Sequence, residues 1–175
     1  MPQLNVPPDV DAVLGGFYTC EFTTVNTKGQ PMTWPSVPYY NRQEGRLVIA
    51  VSVAFPIKAY NARKHPQVSM LFSDPTGSGL TDPPAVLVQG EAAVAEVLEY
   101  TPDIIGLFRT VARRQPESSK FTSNKLIRNL FVAYLFQRIS LTVTPRRILY
   151  WPHLDFGQEP SVIELQDSRE ESHVG

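Results

Sequence analysis

A mainly β fold, an antiparallel barrel carrying a few peripheral helices, is expected from this chain. Runs rich in β-branched and aromatic residues, about six of them, follow one another across short turns. They do not alternate with helices, so βαβ units fit poorly. No glycine-rich dinucleotide fingerprint follows the first strand, which removes the commonest nicotinamide-binding fold. The 175 residues suffice for one domain with a substantial core.

Residues 7–15 open with Pro7-Pro8-Asp9 and close on Gly15-Gly16, the punctuation of a short helix. Phe17–Thr27 reads as a strand, Lys28-Gly29 as a turn, and Pro31–Tyr40 as extended. Pro31, Pro35 and Pro38 cannot donate to a ladder, so this second strand belongs on an edge or at a bulge. An edge leaves backbone groups around Trp34, Ser36 and Val37 free for a planar heterocycle; the same prolines would equally serve to block edge-to-edge aggregation. Asn41–Gly45 turns the chain into the apolar strand Leu47–Val53.

Phe55-Pro56-Ile57-Lys58 then starts a short helix, with Pro56 expected at its first position, where a missing N–H costs nothing. Free N–H groups and the positive end of the helix dipole make such a corner an anion site. Lys58 in that first turn is unfavourable to the helix itself, and a bound phosphate would reverse the penalty. A solvated lysine on an ordinary connector is the competing explanation.

Gln67–Phe72 is the next strand, and the loop SDPTGSGLTDPP that follows is too rich in proline and glycine for regular structure. Its Gly77-Ser78-Gly79 lacks the lysine-threonine pair of a phosphate loop. Ala85–Glu96 resumes as a strand with Gly90 at a bulge. Residues 102–115 and 123–136 are expected to be helical, the second from the spacing of Leu126, Ile127, Leu130, Phe131, Tyr134 and Leu135. Ile139, Leu141 and Val143 alternate with polar residues in a half-buried strand, which Pro145-Arg146-Arg147 should interrupt before Ile148–Trp151. Residues 1–158 thus form the domain, and 159–175 an acidic, flexible tail.

The net charge of −1 is unevenly spread: the tail carries −4, and residues 105–138 carry seven basic residues against Glu117 alone. That basic stretch would attract an anionic ligand or the acidic tail; solvated helix faces explain it equally well. No recognition motif or aromatic platform accompanies it, so nucleic acid is not an expected partner. No apolar run approaches the roughly 20 residues of a membrane span. The N-terminus lacks the marks of a signal peptide, and Cys20 is the sole cysteine, which precludes an internal disulfide. A cytoplasmic protein with a buried thiol in its first strand is expected. The isolated His65, His153 and His173 show no metal-ligand spacing, and no residue stands out as a catalytic acid, base or nucleophile. Trp151, at the end of the last strand, would either stack on a ligand or pack.

Several stretches together resemble the pyridoxamine 5′-phosphate oxidase-like, flavin-binding split β-barrel family. They are Gly29-Gln30-Pro31, Gly45-Arg46-Leu47-Val48-Ile49, Lys58-Ala59 and His65-Pro66-Gln67-Val68-Ser69-Met70-Leu71-Phe72, which matches the family's asparagine-proline-x-valine strand. Gly90-Glu91-Ala92 opens onto a further matching strand, and Pro145–Trp151 is a weaker echo. The resemblance spans roughly residues 15–96 and implies a six-stranded antiparallel split β-barrel that binds FMN at a homodimer interface. Carried over by position, Trp34, Pro35, Ser36 and Val37 would contact the isoalloxazine ring, Val51 and Ser52 would lie near the cofactor, Lys58 would meet the phosphate, and Trp151 would close over the flavin.

Departures matter as much. Trp34 stands where the oxidase has a phosphate-binding arginine, Pro56-Ile57-Lys58 where it has serine-arginine-lysine, and Ala85 where it has glutamine. The arginine-x-histidine-x-arginine segment that grips the vitamin is absent after Trp151. Lysine cannot copy the bidentate bonds of arginine, so vitamin B6 oxidation is not expected. What the resemblance implies is an oxidoreductase using FMN, acting on a small-molecule substrate or electron acceptor. A deazaflavin coenzyme is the alternative, its acidic tail meeting the basic stretch. A carrier or sensor of flavin or haem, or a cofactor-free interaction protein, are the non-catalytic readings.

Overall fold

The structure, a computed structural model, describes residues 4–95, 101–114 and 138–165. The expected helix at 123–136 and the end of the tail lie outside the described residues. Eight strands form one antiparallel sheet: β1 (Cys20–Val25), β2 (Pro31–Ser36), β3 (Pro38–Asn41), β4 (Arg46–Ser52), β5 (Gln67–Phe72), β6 (Ala85–Val94), β7 (Arg138–Trp151) and β8 (Ser161–Glu164). Their order is β2-β1-β5-β6-β7-β4-β3, with β8 added to β7. The two ends of this order are consecutive in the chain and joined through Val37 alone, so the sheet curls back on itself. Counting β2 and β3 as one bent strand, and setting β8 apart, gives the expected split barrel.

The proline-bearing strand lies where its chemistry requires. β2 pairs only with β1 and β3 only with β4, so each proline sits on a strand with one neighbour. The expected single strand is broken at Val37, which belongs to neither ladder. Gly29, at φ 76°, makes the β1–β2 turn in a conformation side chains resist.

β6 and β7 form the long hairpin at the centre of the sheet. Their register shifts between Gln89 and Gly90, opposite Pro145, confirming the bulge expected there. Pro145 does not interrupt β7, contrary to expectation: it stays in register opposite Gly90, and the bulge beside it takes up Arg146. A Cβ at Gly90 would lie 2.3 Å from the Thr144 carbonyl oxygen, so only glycine lets the strands close there.

The expected tail also begins differently. Residues 161–164 are β8, paired to the second half of β7, with Arg147 and Glu164 ion-paired at 2.9 Å. Ile163 packs against the core from this strand.

Inward residues of the sheet make one core, led by Phe22, Leu47, Ile49, Met70, Leu141 and Ile148, each at most 1% exposed. Fully burying a side chain of this size contributes about 1.5–3 kcal/mol. Helix α1 (Pro8–Gly16) adds Val10, Val13 and Leu14, and Phe17 after it meets Phe72 edge-on at 6.5 Å. Helix α3 (Pro102–Arg114) packs on β3 and β4, where Asp103 accepts from Asn41 at 2.7 Å and pairs with Arg46 at 2.7 Å. Helix α2 (Ile57–Lys64) packs on β1 and β6 through Ala59 and Ala62.

Gly90→Ala should destabilise the fold by about 1–3 kcal/mol, the usual range for overpacking. Urea unfolding checks this; an unchanged midpoint would show that the β6–β7 bulge tolerates a methyl group.

Candidate functional site

β4 ends in the core with Val51, 4% exposed and paired with Ile139, and then Ser52 organises the corner. The Ser52 hydroxyl accepts from the Ala54 N–H at 3.3 Å, and its carbonyl accepts from the Phe55 N–H at 3.1 Å. Pro56 is the N-cap of α2, one position earlier than expected, and Ile57 is the first helical residue. No side chain caps this helix and its first turn holds no acid, so its N–H groups face the corner without a protein counter-charge.

Lys58 folds back from that first turn, as long helical side chains do, onto the inner face of β2. Its Nζ donates to Ser36 Oγ at 2.9 Å and lies 5.8 Å from the centre of the Trp34 ring. Three of the residues expected at a site, Trp34, Ser36 and Lys58, are thereby brought together. Ser36 is 7% exposed and stands opposite Cys20, while Trp34 stands opposite Phe22, both on the inward rungs of the β1–β2 ladder. The Ser36 hydroxyl donates in turn to the Trp34 carbonyl at 3.3 Å.

Burial sets the electrostatics. It pushes the Lys58 ammonium below its ordinary pKa, an effect partly offset by the nearby Cys20. It pushes the Cys20 thiol far up, with Glu21 adding to the rise and Lys58 opposing it. Cys20 is thus the buried, unreactive strand thiol that was expected.

The other expected residues are placed apart from this group. Pro35 is exposed on the opposite face, across from Glu21. Val37 is half-buried in the bend, and the Val51 side chain is in the core. Trp151 pairs with Ala85 at the end of β7, and its ring lies 5.4 Å from that of Phe156.

Two residues of the arrangement were not expected. Asn61, 3% exposed, donates from Nδ2 to Thr24 Oγ1 at 3.0 Å, and Thr24 is fully buried. The available signal was Thr24 itself, a polar residue in the inward series Cys20, Phe22, Thr24. Among the described residues no group of acids, histidines or cysteines would hold a metal, and no helix is long and apolar enough to cross a membrane.

Solved structures share this architecture. General stress protein 26 from Bacillus anthracis matches at 16% identity and TM-score 0.54, over 90% of this chain and 96% of that one. A protein of the pyridoxinephosphate oxidase family from Clostridium acetobutylicum, related to the same stress protein, matches at 8% identity and TM-score 0.57, over 90% and 92%. The fold is the pyridoxamine 5′-phosphate oxidase-like split β-barrel. A haem-binding protein from Mycobacterium smegmatis also shares it, at 12% identity and TM-score 0.55, over 92% of this chain and 60% of that one. No protein-family model matches the chain, and no curated protein matches it. At such identities the likeness speaks for the split barrel and leaves the chemistry to the residues themselves.

The lowered pKa of Lys58 gives a sign for stability against pH. Between that lowered value and the ordinary 10.5, the unfolded chain binds more protons than the native state, so stability rises with pH. Cys20, held far above its ordinary 9.0 by burial, and Tyr40, raised by burial and by Asp11 from 10.0 to about 12, tilt stability the other way above those ordinary values. Lys58→Met should therefore remove the rising contribution below 10.5, so that the variant loses stability with pH more steeply than the parent in that range. Denaturation midpoints across pH 8–12 read the slope; the same slope in variant and parent would detach the rising contribution from Lys58.

Proposed function

We propose that this chain is an FMN-dependent oxidoreductase of the cytoplasm, working as a homodimer on a small-molecule substrate or electron acceptor. One observation carries the reading: an ammonium, a hydroxyl and an aromatic ring are assembled within a single side chain's reach beside an uncapped helix start. The donor set fits a phosphate monoester. Lys58 supplies the cation, Ser36 a hydroxyl, and the first turn of α2 its backbone N–H groups. When bound, the flavin supplies hydride or electron transfer, and the protein supplies position and field.

The chain's own residues then have three tasks. Lys58 neutralises the phosphate and relieves a cation held at the wrong end of a helix dipole. The one-sided β2 strand offers backbone groups to the ring's polar edge around Ser36 and Val37. The corner itself is conspicuously apolar, with Phe55, Ile57 and Tyr60 more than half exposed and Val53 at 43%. A second copy seated there would cover these side chains and exclude water from the ring. A single lysine matches the single phosphate of FMN. The deazaflavin alternative draws on a basic stretch most of whose side chains lie outside the described residues.

A carrier or sensor reading is favoured by the haem-binding protein of the same fold. The spectrum separates the two. Purified protein, or protein titrated with FMN, should show bound flavin that NADPH, NADH or dithionite reduces and an acceptor rapidly reoxidises. Lys58→Ala should weaken FMN by about 1.5–3 kcal/mol, the worth of a hydrogen bond to a charged group. Riboflavin, which lacks the phosphate, should bind both forms alike. Protein that takes up no flavin, or a variant that binds FMN as the parent does, removes the reading.

A further inference from the structure

We infer that Asn61 is a positioning residue: its amide, bonded to Thr24 inside the barrel, seats α2 so that the Lys58 ammonium is held on Ser36. The inference rests on Lys58 being the anchor for the ligand's phosphate. Asn61 follows Lys58 by three residues, so the two share a face of the helix, and that face meets the β1–β2 hairpin. Asn61 Nδ2 lies 3.0 Å from Thr24 Oγ1 and 4.0 Å from Met32 Sδ, while Lys58 Nζ lies 2.9 Å from Ser36 Oγ. Thr24 and Met32 face each other on one rung of the hairpin, Cys20 and Ser36 on another.

The spacing leaves little slack. Thr24 and Cys20 are four residues apart, about 13 Å along a strand. The helix advances only about 4.5 Å from Lys58 to Asn61. The lysine stem has to supply most of the difference, so a small slide or rotation of α2 withdraws the ammonium from Ser36.

Asparagine is a costly choice for this position unless direction matters. A buried amide must find its partners or forfeit its hydration, and an alanine or leucine would pack there without that demand. Apolar contact is non-directional, and the alanines beside it, Ala59 and Ala62, fix no rotation of the helix. A hydrogen bond between two buried groups does fix it. The bonds of the Asn61 amide go to Thr24 and Met32, so its effect on the Ser36 contact is exerted through Lys58.

Two measurements on the whole chain test this: the pH titration of the Lys58 ε-carbon signal by NMR, and the FMN dissociation constant. Asn61→Ala removes the amide outright and is liable to unfold the barrel, so the decisive variant is Thr24→Val, which keeps the shape and deletes the hydroxyl. Thr24→Val should move the Lys58 titration up toward that of a free lysine and weaken FMN about tenfold. Thr24→Ser, which keeps the hydroxyl, should restore both. In a Lys58→Met background, Thr24→Val should cost FMN nothing further. A Thr24→Val protein that melts earlier but leaves the Lys58 titration in place overturns the inference, since Asn61 would then be structural only. Absence of FMN binding in every form would remove the proposed function instead, and the titration would still decide the role of Asn61.

Discussion

The bend at Val37 is the constraint from which the rest of the molecule follows. One strand of prolines gives its first half to β1 and its second half to β4, and so joins the two ends of the sheet. A regular strand could not do this, because a full ladder on either side would hold it straight. Proline removes donors where a second neighbour would otherwise bind, and Val37 takes the change of direction. The closure leaves Ser36 as the last paired residue before the bend, facing inward, within reach of the helix that follows β4.

That helix is held against the hairpin by unlike forces. Ala59 and Ala62 supply close apolar contact, which gives proximity but no orientation. Asn61 and Lys58 supply directed bonds to Thr24 and Ser36. Lys58 is the unfavourable member of the set, a half-buried cation in the first turn of a helix whose dipole opposes it. The Trp34 ring and the Ser36 hydroxyl offset part of that cost, while burial lowers the ammonium's pKa.

Local chemistry made much of this readable before any coordinates. Alternation gave the strands, glycine and proline gave their turns, and Gly90 gave the bulge, because each depends on neighbours within a few residues. Pro145 misled for the opposite reason: its fate depends on Gly90, which β-pairing brings opposite it from 55 positions away. β8 was hidden in the same way, since four residues of acidic surroundings become a strand only when β7 offers an edge. At the site, the Lys58 corner was visible from proline and helix-start rules, whereas the Ser36 contact spans 22 residues and the Thr24–Asn61 contact 37. No local rule reaches across those separations.

Trp151 shows where position-by-position inference ends and geometry begins. Along β7 it stands at the end opposite Arg138, which pairs with Ser52 beside the α2 corner. Thirteen residues of extended chain separate those ends, about 43 Å if straight. At that far end its ring meets that of Phe156, 5.4 Å away. A ligand bound beside Lys58, as proposed, would then take any aromatic cover from elsewhere than this chain's own Trp151. The apolar corner formed by Val53, Phe55, Ile57 and Tyr60 is exposed as well, and the proposed second copy would cover it. Both needs are met together if a second copy brings its β7 end to the first copy's corner, which would make the ligand's two faces the property of two chains.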